Sequence, residues 1–209
     1  MEALPPPLAA FSADYHLCAQ QILPHVWLGP VHAAKDSAWC RDVGLTGVLS
    51  VMLEAPSTPA DDGLDQLVIE VADDNKASLA PVLGQAFTFL DKHAAMDGGQ
   101  VLVHCSSGIS RSGCVTIGYT MHNRKCSLAE AFEVTADRRP CVLPNDTFFA
   151  ALIDLEKRIH GVGEASMDQN DYNAYSLASM TRKPPAKCRE VLAASGGDVG
   201  AAAAQLFGG

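Results

Sequence analysis

The stretch that most constrains the fold is residues 101–112, which read VLVHCSSGISRS. Three apolar residues and His104 lead into Cys105, and Arg111 follows after five more residues. After a buried strand, the backbone of such a short polar run must coil tightly, so that successive backbone amides point at one centre. Gly108 supplies the freedom in φ that a tight loop needs. A nest of N–H groups that leads into a helix N-terminus binds an oxyanion.

Two side chains give this loop its chemistry. Arg111 carries a planar fork that can hold two phosphate oxygens and close the ring of amides. The same donors are expected to lower the pKa of Cys105 and make it a thiolate at neutral pH, which is a nucleophile aimed at phosphorus. Either residue alone would be a buried apolar cysteine or a surface cation, but their spacing favours a phosphate loop. The expected phosphate-binding residues are Ser106, Ser107, Gly108, Ile109, Ser110 and Arg111.

Strand and helix signals alternate along the rest of the chain. Strands are predicted at residues 46–52, 67–72 and 101–103, with two short ones around a Pro-His turn within 22–28. Helices are predicted at residues 36–43, 79–95 and 111–123. A fourth helix is predicted to begin at the capping box that starts at Ser127, and a fifth runs from Asn145 to Gly161. The alternation predicts an α/β fold with a mostly parallel central sheet flanked by helices. The loop after Val103 then lies at the carboxyl end of a strand, where such sheets bind ligands.

Charge and cysteine usage exclude several classes of function. The 209-residue chain has a net charge of −9 and a pI of about 5.1, which disfavours nucleic-acid binding. Its seven cysteines show no CxxC pair or zinc-ligand spacing, so we expect a reducing compartment, the cytoplasm or also the nucleus, and no metal. Residues 1–10 do not read as a signal peptide, and no apolar run approaches the roughly 18 residues of a membrane span.

A cysteinyl-phosphate mechanism also needs an acid to protonate the leaving oxygen. Residues 71–75, VADDN, follow a predicted strand and precede a helix, so they should lie at the same sheet edge as the loop. Asp73 and Asp74 are both candidates. Both can instead be helix-capping or solvated carboxylates, which is the ordinary role of such a pair.

Residues 104–112, HCSSGISRS, resemble the signature of the dual-specificity protein phosphatases. The resemblance covers about residues 20–160, including ILPHVWLG at 22–29, Arg-Pro at 139–140 and Pro-Asn at 144–145. It implies a cysteine-dependent phosphatase fold and hydrolysis of phosphotyrosine and phosphoserine/threonine in proteins. The reaction would pass through a phosphocysteine intermediate and need no metal or cofactor.

The resemblance assigns four roles: attack by Cys105, phosphate binding by Arg111, protonation of the leaving group by Asp73, and assistance to thiolate departure by Ser112. The family's acid lies about sixteen residues before an aromatic residue of the following helix. Asp73 stands sixteen residues before Phe89, whereas Asp74 is one residue out of register. Two supporting residues are expected, His104 to orient the Cys105 backbone and Asn145 to cap the following helix.

Some features depart from the family pattern. No Lys or Arg stands between Cys105 and Arg111, which favours protein substrates over inositol lipids or RNA. Asp146 replaces the glycine common after Pro-Asn, so a different helix entry is expected. Residues 69–73 and 138–141 look closest to the pseudophosphatase branch, which binds phosphorylated residues without a nucleophile. This chain keeps its cysteine, so we predict catalysis, with a phosphoprotein-binding module of little or no turnover as the alternative.

Two arginines and two cysteines remain open to interpretation. Arg138 and Arg139 can bind a second phosphate or form an exposed cation pair at a helix end. Cys114 and Cys141 are interpreted as core residues rather than redox partners of the nucleophile.

The chain is divided into an arm at 1–19, a phosphatase domain at 20–162, a linker at 163–183 and a helical tail at 184–209. The tail resembles the second and third helices of ubiquitin-associated domains, which implies ubiquitin as a partner beside phosphoproteins. Residues 176–180 can supply the first helix, but Thr181-Arg182 replace the Gly-Phe that usually contacts ubiquitin. The alternative is an alanine-rich helical hairpin packed on the phosphatase domain.

Overall fold

A computed structural model describes residues 17–54 and 63–208. Its centre is a five-stranded sheet in the order β1-β2-β5-β3-β4. The strands are β1 Gln20–Leu23, β2 Val26–Pro30, β3 Gly47–Val51, β4 Asp65–Ile69 and β5 Val101–Cys105. Most of the predicted arm and most of the loop predicted between β3 and β4 lie outside the described residues.

The sheet is parallel except at one edge. β5 pairs with β2 on one side and with β3 on the other, both in parallel, and β4 joins β3 in parallel. Only β1 runs antiparallel, through a tight turn into β2. All residues of β3 and β5 are buried, as expected for parallel strands covered on both faces. The last residue of β5, Cys105, therefore emerges near the middle of the sheet's carboxyl edge.

Helices cover both faces of the sheet. Val48 and Leu102 face a small core that contains Ala33, Ala34 and Cys40, whereas the alternate strand residues face the main core. The helices are α1 Val31–Lys35, α2 Ser37–Asp42, α3 Leu83–Ala94, α4 Arg111–Arg124, α5 Leu128–Arg138, α6 Asp146–His160, α7 Gln169–Thr181, α8 Pro185–Ala194 and α9 Val199–Gly208. The predicted α/β class, with a mostly parallel sheet and a helical appendage, is confirmed.

Helix α4 runs through the centre of the main core. Every residue from 112 to 121 is buried, and the helix contacts α3, α5, α6 and β5. Its first residue is Arg111, so the phosphate loop is held between a buried strand and a buried helix. The capping box predicted at Ser127 is present, with Ser127 and Glu130 exchanging hydrogen bonds at the start of α5.

A buried carboxylate fastens the segment that follows α6 to the start of α5. Glu156 accepts hydrogen bonds from the Leu128 amide at 2.7 Å and from the Ser166 amide at 2.8 Å. The Ser166 hydroxyl donates to Glu156 as well, at 2.7 Å, and accepts from the Ala129 amide. These bonds satisfy two amides of the first turn of α5, which have no partner within their own helix.

The structure differs from the sequence-based expectation at three elements. β4 ends at Ile69, so residues 70–72 continue past the sheet instead of pairing along it. The short helix α1 was not predicted, because five residues are too few to show a period. The segment 163–183, predicted as a linker, contains the thirteen-residue helix α7, which Asp168 caps through the Asp171 amide.

Helix α7 belongs to two cores at once. Tyr172 and Tyr175 lie in the main core, packed edge-on against Phe132. Leu177 and Ala178 lie instead in a separate small core shared with α8 and α9. Helices α7, α8 and α9 therefore form a three-helix bundle, which is called the tail from here on. Its first helix, α7, extends well beyond the predicted residues 176–180. The bundle is attached to the main domain through Tyr172 and Tyr175 of α7 rather than tethered by a linker.

Candidate active site

The loop after β5 is held in a shape that requires glycine at its centre. Gly108 has a φ of 67°, in the left-handed region that glycine adopts without strain. A Cβ at this position would lie 2.4 Å from the backbone carbonyl carbon and oxygen of Gly29 in β2. The loop thus rests directly on the neighbouring strand. A further bond, from the Val31 amide to the Ser106 carbonyl at 3.1 Å, ties it to α1.

The Cys105 sulfur lies at the focus of this loop, and the residue is only 2% exposed. The Ser112 hydroxyl donates to it at 3.2 Å. Burial by itself would raise the pKa of the thiol, but the Ser112 hydroxyl and the amides of Ser112, Ile109 and Gly108 stabilise the thiolate, and the pKa is lowered. The expected direction of the pKa change is thereby found, with burial opposing it.

Arg111 closes the loop on its open side. One terminal nitrogen donates to the Ser106 hydroxyl at 2.9 Å, and the other donates to the Val71 carbonyl at 3.3 Å. Its Nε lies 3.5 Å from Asp73 Oδ2, an ion pair too long to count as a hydrogen bond. The guanidinium is thus fixed at the rim of the loop and connected to the segment that follows β4.

The two candidate acids occupy different environments. Asp73 Oδ1 accepts hydrogen bonds from the Ser110 hydroxyl at 2.7 Å and from Asn145 Nδ2 at 2.9 Å, so it faces the loop. Asp74 Oδ1 instead accepts from the amides of residues 76 and 77, at 2.9 and 2.8 Å. Asp74 therefore stabilises its own turn, and Asp73 is the carboxylate beside Arg111.

Asn145 joins three segments of the site. Its Oδ1 accepts from the Phe148 amide at 3.0 Å and caps α6, as predicted, so the missing glycine leaves the helix entry intact. Its Nδ2 holds Asp73. Its own amide donates to the Ser110 hydroxyl at 3.1 Å, which in turn donates to Asp73.

His104 is buried beside Cys105. Its Nε2 hydrogen-bonds the Ser50 hydroxyl at 2.7 Å, and its Nδ1 lies 3.4 Å from the Cys105 carbonyl oxygen. Burial lowers its pKa to about 4, so the ring is neutral at physiological pH. This placement agrees with the expectation that His104 orients the Cys105 backbone. Its partner Ser50, which lies in a buried strand, gave no signal in the sequence.

Arg139 is neither a phosphate-binding cation nor an exposed one, so both interpretations offered for it were wrong. The side chain is fully buried. It donates to the carbonyl of Gly108 at 2.6 Å and to that of Ser107 at 2.8 Å, and it reaches Gln20 and the carbonyl of Cys18 on the other side. Arg139 therefore holds the loop carbonyls outward, which leaves the loop amides pointing inward. Arg138 is exposed, as expected of a cation at a helix end.

Cys114 and Cys141 were the two other cysteines interpreted from the sequence. Cys114 and Cys141 are buried, and burial raises the pKa of each thiol, in keeping with a core role. Within residues 17–54 and 63–208, no group of three His, Cys, Asp or Glu side chains is arranged to hold a metal ion. In the same part of the chain, no helix has the length and apolarity needed to cross a bilayer.

Comparison with known proteins assigns the family. The family model described as the catalytic domain of dual specificity phosphatases matches residues 26–158. The chain belongs to this family. Human dual specificity protein phosphatase 1 is 32% identical over 141 residues, which cover 66% of this chain and 37% of that protein. For human dual specificity protein phosphatase 2, the identity is 33% over 140 residues, which cover 66% and 44% of the two chains. The chain thus matches less than half the length of these relatives.

Solved structures of dual-specificity phosphatases share the fold. Human DUSP28 superposes with a TM-score of 0.64 at 29% identity, covering 68% of this chain and 95% of that one. The human tyrosine phosphatase-like serine/threonine/tyrosine-interacting protein gives 0.64 at 28% identity, covering 69% and 98%. A mouse putative dual specificity phosphatase, in a complex with zinc tungstate, gives 0.66 at 28% identity, covering 74% and 95%.

The hydrogen bond from Ser112 to the sulfur yields a prediction about the Cys105 thiol. Ser112→Ala should raise its pKa, because a donor that favours the thiolate is lost while burial is unchanged. The midpoint of the pH profile for alkylation of the Cys105 peptide should move up by about one pH unit, measured by mass spectrometry. Thr120→Ala, which removes a buried hydroxyl from the same helix, is the control and should leave the midpoint in place.

Proposed function

We propose that this phosphatase-family domain hydrolyses phosphorylated tyrosine and serine/threonine residues of proteins through a phosphocysteine intermediate, without a metal. The observation that carries the proposal is the Cys105 sulfur, buried at the focus of the Ser112, Ile109 and Gly108 donors. Arg111 at the rim of the same loop supplies the fork that would hold phosphate oxygens.

The proposed first step transfers the phosphoryl group to sulfur. The Cys105 thiolate attacks phosphorus, an S–P bond forms, and the P–O bond to the substrate side chain breaks. Asp73, in its protonated form, gives its proton to the departing oxygen. The carboxyl is held beside the loop by the two hydrogen bonds to Oδ1, whereas Oδ2 faces Arg111 Nε at 3.5 Å.

The second step returns the enzyme to its starting state. Water attacks the phosphocysteine, and the Asp73 carboxylate accepts the proton that the water loses. The S–P bond breaks, inorganic phosphate leaves, and the electron pair of that bond remains on the sulfur. The Ser112 hydroxyl, 3.2 Å from the sulfur, would stabilise the departing thiolate.

The composition of the loop bears on the substrate class. Positions 106–110 carry no cation, so phosphate would be held by amides and by Arg111 alone. Such a site offers nothing to bind the extra phosphates of an inositol lipid, and the acidic chain does not attract RNA. Phosphoproteins are the proposed substrates. The cytoplasm or nucleus is the proposed location, because all seven cysteines are free thiols.

The second candidate is a phosphoprotein-binding module with little or no turnover. Its support is the similarity, over 69% of this chain, to the human tyrosine phosphatase-like serine/threonine/tyrosine-interacting protein. Against it stand the cysteine nucleophile and a donor set that lowers the pKa of that cysteine.

One experiment separates the two candidates. The parent should hydrolyse an aryl phosphate and phosphopeptides of both kinds, whereas Cys105→Ser should lose turnover by at least about a thousandfold and keep its fold and its phosphopeptide binding. Cys114→Ser, also a buried cysteine, is the control and should retain turnover. If the parent binds phosphopeptides yet turns over no faster than Cys105→Ser, the binding module is the better description.

A second experiment tests the acid. Asp73→Asn should slow phenyl phosphate, whose leaving group needs a proton, far more than an activated nitrophenyl ester. Asp74→Asn is the matched control, since its carboxylate caps its own turn. If Asp74→Asn gives the leaving-group pattern and Asp73→Asn does not, the assignment of the acid is wrong.

We propose in addition that the tail binds ubiquitin weakly. The support is that Met180, at the end of α7, and Phe207, near the end of α9, are 47% and 67% exposed on a three-helix bundle. These are large apolar side chains at the surface of the only part of the described chain that resembles a ubiquitin-associated domain. Thr181-Arg182, in place of Gly-Phe, is expected to keep the affinity low.

The test uses the whole chain, because α7 is built into the main core. Ubiquitin titrated to about millimolar concentration should shift the amide resonances of α7 and α9 in the isotopically labelled protein. Phe207→Ala should abolish these shifts. Met96→Ala, which truncates a side chain 45% exposed just after α3, is the control and should leave them unchanged. The absence of shifts at millimolar ubiquitin would leave the tail a structural element only.

A further inference from the structure

A single peptide group connects the tail to the proposed acid. The carbonyl of Pro144 and the amide N–H of Asn145 belong to the same planar unit and point in opposite directions. The carbonyl accepts a hydrogen bond from the Tyr172 hydroxyl in α7. The N–H donates to the Ser110 hydroxyl at 3.1 Å. Because the unit is planar, any rotation of it changes both bonds together.

Tyr172 is held rigidly enough to fix that peptide. Its ring stacks on Phe149 of α6 with centroids 3.8 Å apart and an angle of 11° between the planes. Phe132 of α5 packs against it edge-on at 5.9 Å. Burial raises the pKa of the phenol well above its ordinary value, so the hydroxyl stays a donor through the physiological range.

The other side of the peptide leads to the reacting groups. The Ser110 hydroxyl accepts a hydrogen bond from the Asn145 N–H and donates one to Asp73 Oδ1 at 2.7 Å. The Asn145 side chain donates to the same carboxylate oxygen at 2.9 Å. Both donors that hold Asp73 therefore depend on the orientation of the Pro144–Asn145 peptide. A hydrogen bond to the peptide carbonyl also polarises its N–H and strengthens the bond that the N–H donates.

We propose that Tyr172 is a positioning residue for the acid, acting from the tail helix through the Pro144–Asn145 peptide on Ser110 and Asp73. The helix lies beyond residues 26–158, the part matched by the family model. The consequence for the reaction rests on the proposed function, whereas the hydrogen-bond connection exists in the resting protein.

The catalytic test compares two tyrosine hydroxyls of one helix. Tyr172→Phe should lower kcat for phenyl phosphate about fivefold, with KM within about twofold, because one neutral hydrogen bond is lost and the acid is less well held. The activated nitrophenyl ester should be nearly unaffected. Tyr175→Phe, whose ring packs on the same Phe132, is the control and should change neither substrate. Equal losses on both substrates, or none, would reduce Tyr172 to a packing residue.

A second measurement needs no turnover. In the isotopically labelled full chain, Tyr172→Phe should move the Asn145 amide proton upfield, because the carbonyl of its peptide loses a donor. The Ser110 resonances should move with it, and Tyr175→Phe should leave both in place. If the parent proves inactive, the proposed function fails while these shifts still establish the connection. An unmoved Asn145 resonance would overturn the connection itself.

Discussion

The site depends on hydrogen-bond donors of the protein that take the place of water around the buried sulfur of Cys105. Cys105 is almost inaccessible, and burial alone would keep its thiol protonated. The donors that reverse this preference are one hydroxyl and several loop amides, and amides have no freedom to turn towards an anion unless the backbone is bent for them. The positive φ of Gly108 and the buried Arg139, which binds the carbonyls of residues 107 and 108, impose that bend.

The surroundings of Asp73 are assembled from distant parts of the chain. Asp73 lies in the segment after β4, Ser110 is the last residue of the loop after β5, and Asn145 caps α6. None of these groups is placed by its own element alone. Their mutual hydrogen bonds fix a carboxylate that is otherwise partly exposed to solvent, at a position facing Arg111. The geometry around Asp73 therefore depends on the packing of several elements rather than on one loop.

Local signals were sufficient for most of the fold and for the residues of the loop. Short apolar runs predicted the strands, and the caps at Ser127 and Asn145 predicted where α5 and α6 begin. The role of Arg139 could not be predicted, because all of its partners are distant in sequence. The loop carbonyls that it binds lie 31 and 32 residues away, and Cys18 and Gln20 lie 121 and 119 residues away. Only residues 176–180 of helix α7 were predicted as helical, because its apolar residues pack into two cores on different sides. A helix with two buried faces and polar residues between them shows no single apolar stripe.

The double membership of α7 limits how far this protein can be treated as interchangeable modules. A chain shortened after α6 would strip Tyr172 from the face of Phe149 and leave the buried Pro144 carbonyl without its donor. Transplanting the bundle onto another protein would expose Tyr172 and Tyr175, which are buried in the main core of this protein. A break before Tyr172 takes both tyrosines out of the main core, and a break after Ala178 takes Leu177 and Ala178 out of the small core of the bundle.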